Sequence, residues 1–376
     1  MSLFFFHDHK FYCKDSCFYS PGSFPDEMWG RYTAVFGNTT VFARVRTQET
    51  DVMGFSKISN PQVRIVDVYE KGFMQLLKDI FHADYVIVRL PSFIGICAVI
   101  VARIYMKPSL IELVGCPFDS LWNHSAKGKA AAPFIALLTR IIVRNSPFVL
   151  YVTERFLQRR YPTKGNTISC SNVLLSQGDE GVVERRANKI MLTGPLMKIC
   201  TIGAVDVKYK GQVSVIAALA ILKAKHNKIY EYHLIGSGNQ TYLRDYAKKL
   251  GVEGLLVFHG ILNRQQINSV LEDIDIYIQP SKTEGLPRSL IEAMSMGLPA
   301  IGSTAGGIPE LLEKSMLFRP QKAKEELPEC LLRLDTTTLL VQSKRNYEAA
   351  KKFSASIIES RRREFFMRFH AAYSKR

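Results

Sequence analysis

Short apolar segments rich in β-branched residues alternate with longer amphipathic segments along most of the chain. In the N-terminal half the short segments predict strands at residues 2–6, 40–45, 63–68, 85–89, 109–114 and 147–152. The longer segments predict helices at residues 72–81, 94–105, 129–144 and 154–161, with a short helix or turn at 25–32. This alternation favours a parallel sheet that is covered by helices on both faces.

The same alternation resumes in the C-terminal half. It predicts strands at residues 198–203, 231–235 and 255–258, and helices at 213–225, 241–250 and 264–271. The charged stretch 176–189 separates the two halves and is interpreted as an interdomain linker. The chain is therefore predicted to comprise two α/β domains, 1–189 and 190–353, and a basic amphipathic C-terminal helix within 354–376.

Residues 274–312 form the most distinctive stretch of the sequence. A strand at 274–278 is predicted to end at Pro280, and the loop that follows leads into a helix that starts near Pro287 and stops at Gly297. A short buried strand at 298–301 comes next, and the turn 306–309 is predicted to start another helix.

Two carboxylates belong to this stretch, Glu284 in the loop and Glu292 on the helix. The loop is predicted to lie at the carboxyl end of a strand, where open α/β sheets bind ligands. The helix start offers free N–H groups to a phosphate, and carboxylates accept hydrogen bonds from sugar hydroxyls. The combination predicts a site for a nucleotide sugar.

The run E-G-L-P-x-x-L-I-E-A-M-x-x-G-x-P, followed by G-G-I-P-E, resembles the E-x7-E signature of the retaining glycosyltransferases of family 4. This resemblance implies the GT-B fold, an α/β architecture in which two Rossmann-like domains face a cleft. The C-terminal helix of that fold crosses back to the first domain. The first domain would bind the acceptor and the second the nucleotide-sugar donor.

The resemblance also implies roles for individual residues. Glu284 would bind the donor sugar, Glu292 the ribose, and Lys210 the diphosphate, so Glu284 and Lys210 are candidate catalytic residues. The backbone groups of Ile261 would contact the nucleobase. The implied donor-binding set is Gly203, Gly236, Gly238, Ile261, Gly285, Leu286, Pro287, Arg288, Ser289 and Glu292.

The chain departs from the family pattern at two places. The arginine that usually follows the first glycine of the second domain is replaced by Ala204, which leaves Lys208 or Arg288 to substitute. The usual histidine of the first domain is missing from the segment 113–117. His124 is the candidate replacement and the third candidate catalytic residue, with Asp119, His7 and His9 as rivals.

Segments 114–117, 122–125 and 151–162 are similar to bacterial capsule and O-antigen transferases. This likeness implies transfer to a lipid-linked glycan acceptor and a peripheral location at the cytoplasmic face of the plasma membrane. The donor would be UDP- or GDP-linked, and no cofactor or metal is expected. The alternatives are a nucleotide-sugar 2-epimerase of the same fold and a basic nucleic-acid-binding protein.

The net charge of the chain indicates which partners to expect. The 376 residues carry a formal charge of +16, which favours an acidic partner such as a phosphate-rich ligand, anionic lipid or nucleic acid. The basic residues are spread out and no nucleic-acid-binding signature is present, so nucleic acid is not the expected partner. Residues 127–144 combine basic ends with an apolar body, which fits either a core helix or a helix on anionic lipid.

Cysteine usage and hydropathy add further expectations. The seven scattered cysteines suit reduced thiols in the cytosol, and the spacing of His7, His9, Cys13 and Cys17 fits no standard zinc motif. The longest apolar candidate, 90–102, is shorter than the roughly 20 residues of a membrane span. The apolar N-terminus is interpreted as a first strand and not as a signal peptide.

Overall fold

The structure is a computed structural model that describes residues 1–22, 24–47, 52, 54–70, 72–176, 179, 181–194 and 196–374. Contacts divide the chain into two units. Unit 1 comprises Met1–Leu121, Lys129–Cys170 and Glu359–Arg376, and unit 2 comprises Trp122–Gly128 and Ser171–Ile358. Among the helices of the described residues, none combines the length and the hydrophobicity of a membrane span.

The first part of the chain contains the strands β1 (Ser2–Lys14), β2 (Cys17–Ser20), β3 (Asn38–Arg46), β4 (Ser56–Ile58), β5 (Val63–Asp67), β6 (Tyr85–Leu90), β7 (Ser109–Leu113), β8 (Phe148–Tyr151) and β9 (Asn166–Ser169). Its helices are α1 (Gly30–Phe36), α2 (Phe73–Asp79), α3 (Phe93–Ile104), α4 (Pro117–Trp122), α5 (Ala126–Arg144) and α6 (Phe156–Arg160). The predicted strands are confirmed. The sequence analysis missed β2, β4 and β9, which have three or four residues each and are too short for a clear pattern.

The sheet of unit 1 is parallel in the order β5-β3-β1-β6-β7-β8-β9, and β2 and β4 add an antiparallel edge at the far end of β1. Strand order reverses between β1 and β6, as in doubly wound folds. Aromatic side chains fill the core on one face, where Phe5, Trp29 and Tyr32 are buried against one another.

The second part of the chain contains the strands β10 (Met197–Ile202), β11 (Tyr230–Ile235), β12 (Leu256–Gly260), β13 (Ile276–Gln279), β14 (Ala300–Ser303) and β15 (Leu317–Phe318). Its helices are α7 (Val182–Leu192), α8 (Gln212–His226), α9 (Thr241–Lys249), α10 (Arg264–Asp273), α11 (Arg288–Ser295), α12 (Ala323–Leu332), α13 (Thr336–Lys351) and α14 (Ala355–Tyr373). All the strands are parallel, in the order β12-β11-β10-β13-β14-β15.

Two local predictions for this part are wrong. Much of the stretch interpreted as a linker forms α7, because Arg186 and Ile190 are buried and Arg186 donates hydrogen bonds to the carbonyls of Leu271 and Ile274. The segment 306–309 leads only into a short 3-10 helix, because β15 begins shortly afterwards and leaves no room for an α-helix.

The C-terminal helix α14 confirms the prediction for the end of the chain. It begins within unit 2, and from Glu359 onward it belongs to unit 1. Phe365, Phe366 and Phe369 on this helix are fully buried, and their rings contact those of Phe36 and Phe148. The hydrophobic face of α14 is therefore part of the core of unit 1.

Candidate functional site

The strand order of unit 2 creates a crevice at the carboxyl ends of its strands. From β10 the chain moves outward through β11 to β12, and it then returns to the other side of β10 as β13. Loops that follow β10 and β13 therefore leave the sheet in opposite directions, and ligands bind between such loops in open α/β sheets. The loop after β10 carries Lys210, and the loop after β13 carries Glu284.

These two side chains form an ion pair. Lys210 Nζ lies 2.7 Å from Glu284 Oε1, and the side chains are 25% and 13% exposed. The same carboxylate oxygen accepts hydrogen bonds from Ser281 Oγ at 2.8 Å and from Gln279 Nε2 at 3.3 Å. The pair is thus close to the surface, where a ligand can reach it. Ser281 and Gln279 hold the carboxylate from its buried side.

Two glycines allow close contacts with the segment that carries Glu284, Gly211 from the loop after β10 and Gly306 from the loop after β14. Gly211 has a φ of +80°, and a Cβ on it would lie 2.0 Å from the carbonyl oxygen of Pro280. Gly306 has a φ of +59°, and a Cβ there would lie 2.0 Å from the carbonyl oxygen of Glu284. Any larger residue at either position would push the loops apart, because both contacts are with backbone.

Helix α11 starts directly after the Glu284 loop. Pro287 is its N-cap residue, and the first N–H groups of the helix have no partner within the helix. Leu290 and Ile291 are buried, whereas Arg288 is exposed and Glu292 is half-buried. Gly297 has a φ of +68° just beyond the helix, which confirms the predicted stop. The helix start therefore offers N–H donors beside the ion pair.

The remaining glycine loops lie at the same end of the sheet. Gly203 N donates to Ile235 O at 2.8 Å, and Gly236 N donates to Gly260 O at 2.9 Å, so the ends of β10, β11 and β12 are tied together. Ile261 is exposed immediately after β12. The donor-binding residues predicted from the sequence are thus brought to one end of one sheet, although their roles stay predictions.

A histidine pair lies next to this edge. His233 Nδ1 is 2.9 Å from His259 Nε2, and His233 Nε2 is 2.6 Å from Glu231 Oε1. Burial lowers the pKa of His259, and the neighbouring His233 lowers it further. His259 therefore favours the uncharged form.

The two cations that could replace the missing arginine are both exposed. Lys208 Nζ lies 5.7 Å from the centroid of the Tyr242 ring, and Arg288 is the first residue of α11. Ala204 occupies the expected arginine position in the loop after β10. Which cation takes over its role stays a prediction.

The histidines and the aspartate proposed for the first domain have different surroundings. His124 is exposed between α4 and α5. His9 is bonded to Ser20 Oγ at 2.9 Å, and burial, followed by the charge of Arg89, lowers its pKa to about 4. Asp119 forms a 2.7 Å ion pair with Arg160. Within the described residues, no group of three or more His, Cys, Asp or Glu side chains could hold a metal ion.

The sequence analysis missed a buried polar cluster beneath the Glu284 loop. Tyr277, Gln279 and Ser281 are buried, and they connect through hydrogen bonds to Glu284 and Ser289. A signal was present, because a central parallel strand is buried on both faces and normally reads as apolar. A tyrosine and a glutamine in such a strand indicate a buried polar network.

A family model and known relatives both match this chain. A family model described as "Glycosyl transferases group 1" matches residues 197–336. Protein CapJ from Staphylococcus aureus is 31% identical over 335 residues, which cover 85% of this chain and 83% of that protein. The amylovoran biosynthesis glycosyltransferase AmsK from Erwinia amylovora is 34% identical over 134 residues, about a third of each chain.

Solved structures agree on the fold. Sucrose-phosphate synthase from Thermosynechococcus elongatus superposes with a TM-score of 0.71 at 15% identity, over 99% of this chain and 100% of that chain. HepE from Anabaena, in complex with UDP-glucose, superposes with a TM-score of 0.64 at 16% identity, over 100% of both chains. These likenesses confirm the two-domain GT-B architecture.

Proposed function

The chain belongs to the group 1 glycosyltransferases, and on that premise we propose that it moves a sugar from a UDP- or GDP-linked donor to a hydroxyl of a growing glycan, with retention of the anomeric configuration. The observation that carries this proposal is the Lys210–Glu284 pair at the crevice of unit 2. A cation, a carboxylate and a helix start lie together there, and a nucleotide sugar presents a diphosphate beside sugar hydroxyls.

In this proposal the diphosphate binds between Lys210 and the N–H groups at the start of α11. Positive charge at this point stabilises the negative charge that develops on the leaving diphosphate. Glu284 accepts a hydrogen bond from the donor sugar, and Glu292 accepts hydrogen bonds from the ribose. The ammonium and the helix start supply the positive charge, so the proposal includes no metal ion.

Glu284 serves as a hydrogen-bond acceptor in this proposal and not as a nucleophile. Three donors converge on its Oε1 and hold the carboxylate in place, so its other oxygen is left to accept a hydrogen bond from the donor sugar. The acceptor hydroxyl would then attack from the face that the diphosphate leaves. The departing phosphate oxygen takes the hydroxyl proton, and the new glycosidic bond replaces the broken bond between sugar and phosphate.

The first experiment identifies the donor and tests Glu292. UDP-glucose, UDP-galactose, UDP-N-acetylglucosamine and GDP-mannose are screened for an increase in the unfolding temperature. With the stabilising donor, Glu292→Ala should lower kcat/KM about 100-fold or more and leave the unfolding temperature nearly unchanged. The matched control is Glu325→Ala, in the exposed first turn of α12. Near-normal turnover of Glu292→Ala would reject the assignment, and an epimerised donor without acceptor would identify an epimerase.

The acceptor is proposed to be a lipid-linked saccharide of a bacterial surface polysaccharide, bound at the cytoplasmic face of the membrane. The relative AmsK is named for the biosynthesis of amylovoran. Helix α5 provides a surface that suits anionic lipid. Phe134, Leu137 and Ile141 lie on one side of this helix and are 68%, 58% and 51% exposed. Exposed Lys129 and Arg140 accompany them.

Vesicle binding tests this membrane surface. Replacing Phe134, Leu137 and Ile141 together by serine should abolish co-sedimentation with phosphatidylglycerol vesicles, because apolar burial and attraction to anionic lipid act together. Met191→Ser/Leu192→Ser removes two exposed apolar side chains from unit 2 and should leave co-sedimentation unchanged. Equal binding of the triple variant and the unaltered protein would exclude α5 as the contact surface.

A further inference from the structure

A buried amide lies directly beneath the ion pair. Gln279 is the last residue of β13 and is almost fully buried. Its Nε2 donates to Ser281 Oγ at 2.9 Å and to Glu284 Oε1 at 3.3 Å. Its Oε1 accepts from Tyr277 OH at 2.9 Å and from Ser289 Oγ at 3.2 Å. Both protons of the amide nitrogen and both lone pairs of the amide oxygen are thus used.

The surroundings permit only one orientation of this amide. The nitrogen faces a carboxylate oxygen, and the oxygen faces two hydroxyl groups. If the amide were rotated by half a turn, its oxygen would lie against the Glu284 carboxylate, and two acceptors would repel each other. The Gln279 side chain is therefore fixed, and it fixes the groups that it contacts.

The cluster also joins the two parts of the crevice. Ser289 lies in the first turn of α11, where the diphosphate is proposed to bind, and Glu284 is proposed to contact the donor sugar. The Gln279 amide bonds to both residues. Lys210, by contrast, is a charged group that a diphosphate would draw toward itself. Ser281 and Gln279 are neutral donors to Glu284, so the charge of a diphosphate does not attract them as it attracts Lys210.

We propose that Gln279 is a positioning residue for Glu284: its amide, together with Ser281, keeps the carboxylate oriented toward the donor sugar while Lys210 engages the diphosphate. This inference rests on the proposed function. No described residue donates a hydrogen bond to Glu284 Oε2, so this oxygen is the one presented to a sugar hydroxyl. Gln279 is almost fully buried, so in this proposal it acts on the donor sugar through Glu284 and not by direct contact.

A double-mutant cycle tests this role. Gln279→Met keeps the side-chain length but removes the amide, and it should lower kcat/KM for the donor found in the screen at least tenfold. In a Glu284→Gln background the same substitution should change kcat/KM less than threefold, because the carboxylate it positions is already gone. The affinity for UDP or GDP alone, measured by calorimetry, should change less than twofold.

Two further variants keep the test informative. Tyr277→Phe removes one hydrogen bond to the amide oxygen and should give a smaller loss in the same direction, even if Gln279→Met fails to fold. Tyr232→Phe removes a buried hydroxyl that bonds to Thr201 Oγ1 on the next strand, and it should leave kcat/KM unchanged.

The outcomes separate this inference from the proposed function. Equal losses from Gln279→Met in both backgrounds, or no loss in either, would overturn the positioning role while the proposed function stands. If the unaltered protein binds none of UDP, GDP and the four nucleotide sugars, both proposals fall together. Unaltered turnover of Glu284→Gln alone would also overturn both.

Discussion

Replacement of Lys210 by methionine isolates the contribution of one charge to the crevice. Methionine keeps most of the side-chain stem and removes the ammonium, which lies 2.7 Å from Glu284 Oε1. The pair is only 25% and 13% exposed, so solvent screens it less than an ordinary surface pair. Glu284 keeps its hydrogen bonds from Ser281 and Gln279, and these limit the cost of leaving the carboxylate without its cation.

The expected magnitudes follow from the hydrogen bonds that are lost. A hydrogen bond to a charged group contributes about 1.5–3 kcal/mol, so Lys210→Met should lower the free energy of unfolding by roughly that amount or less. Loss of one such bond to the developing charge of the diphosphate should lower kcat/KM for the donor roughly 10-fold to 150-fold.

Two measurements and one control variant test this prediction for Lys210→Met. Initial rates of nucleotide release at varied donor concentration give kcat/KM, and urea denaturation gives the free energy of unfolding. The control is Lys351→Met, because the Lys351–Glu348 pair has the same 2.7 Å separation but is 53% and 54% exposed. That variant should change stability by less than about 1 kcal/mol. A kcat/KM for Lys210→Met within twofold of the unaltered protein would refute the role of Lys210.

Three further predictions concern stability. Glu112→Gln should cost about 3 kcal/mol by urea denaturation, because it breaks the buried 2.8 Å pair with Arg89, and Arg89→Met/Glu112→Leu should recover most of that loss. Stability should fall as the pH drops from about 6.5 to 4, because unfolded His9 takes up a proton in this window while burial keeps the folded pKa near 4. His9→Gln should therefore flatten the stability curve there by up to about 3 kcal/mol, and an unchanged curve would contradict this assignment. Arg186→Met should cost about 2–3 kcal/mol in the same assay, because carbonyls at the end of α10 lose their buried donor; a cost below about 0.5 kcal/mol would show that α7 is not anchored this way.

The sequence alone predicts the α/β class and most of the strands, and it points to the loops that carry the candidate site. These features depend on local patterns, because the hydrophobic period and the effects of proline and glycine on the backbone extend over only a few residues. The E-x7-E stretch indicated a glycosyltransferase, and the comparisons confirmed membership of the group 1 glycosyltransferases. The sequence analysis did not predict the short strands β2, β4 and β9, because they contain too few apolar residues for a clear pattern. It did not predict the helix α7, because one of its buried residues is polar.

Which distant residues meet depends on the tertiary structure. Lys210 and Glu284 are 74 residues apart, and nothing local in either loop reveals that they form an ion pair. They meet because the sheet places β13 beside β10 and Gly211 lets the loop after β10 approach Pro280 at the end of β13. The role of Gln279 is also hidden in the sequence, because an amide becomes a positioning group only when packing excludes water and leaves it a single set of partners.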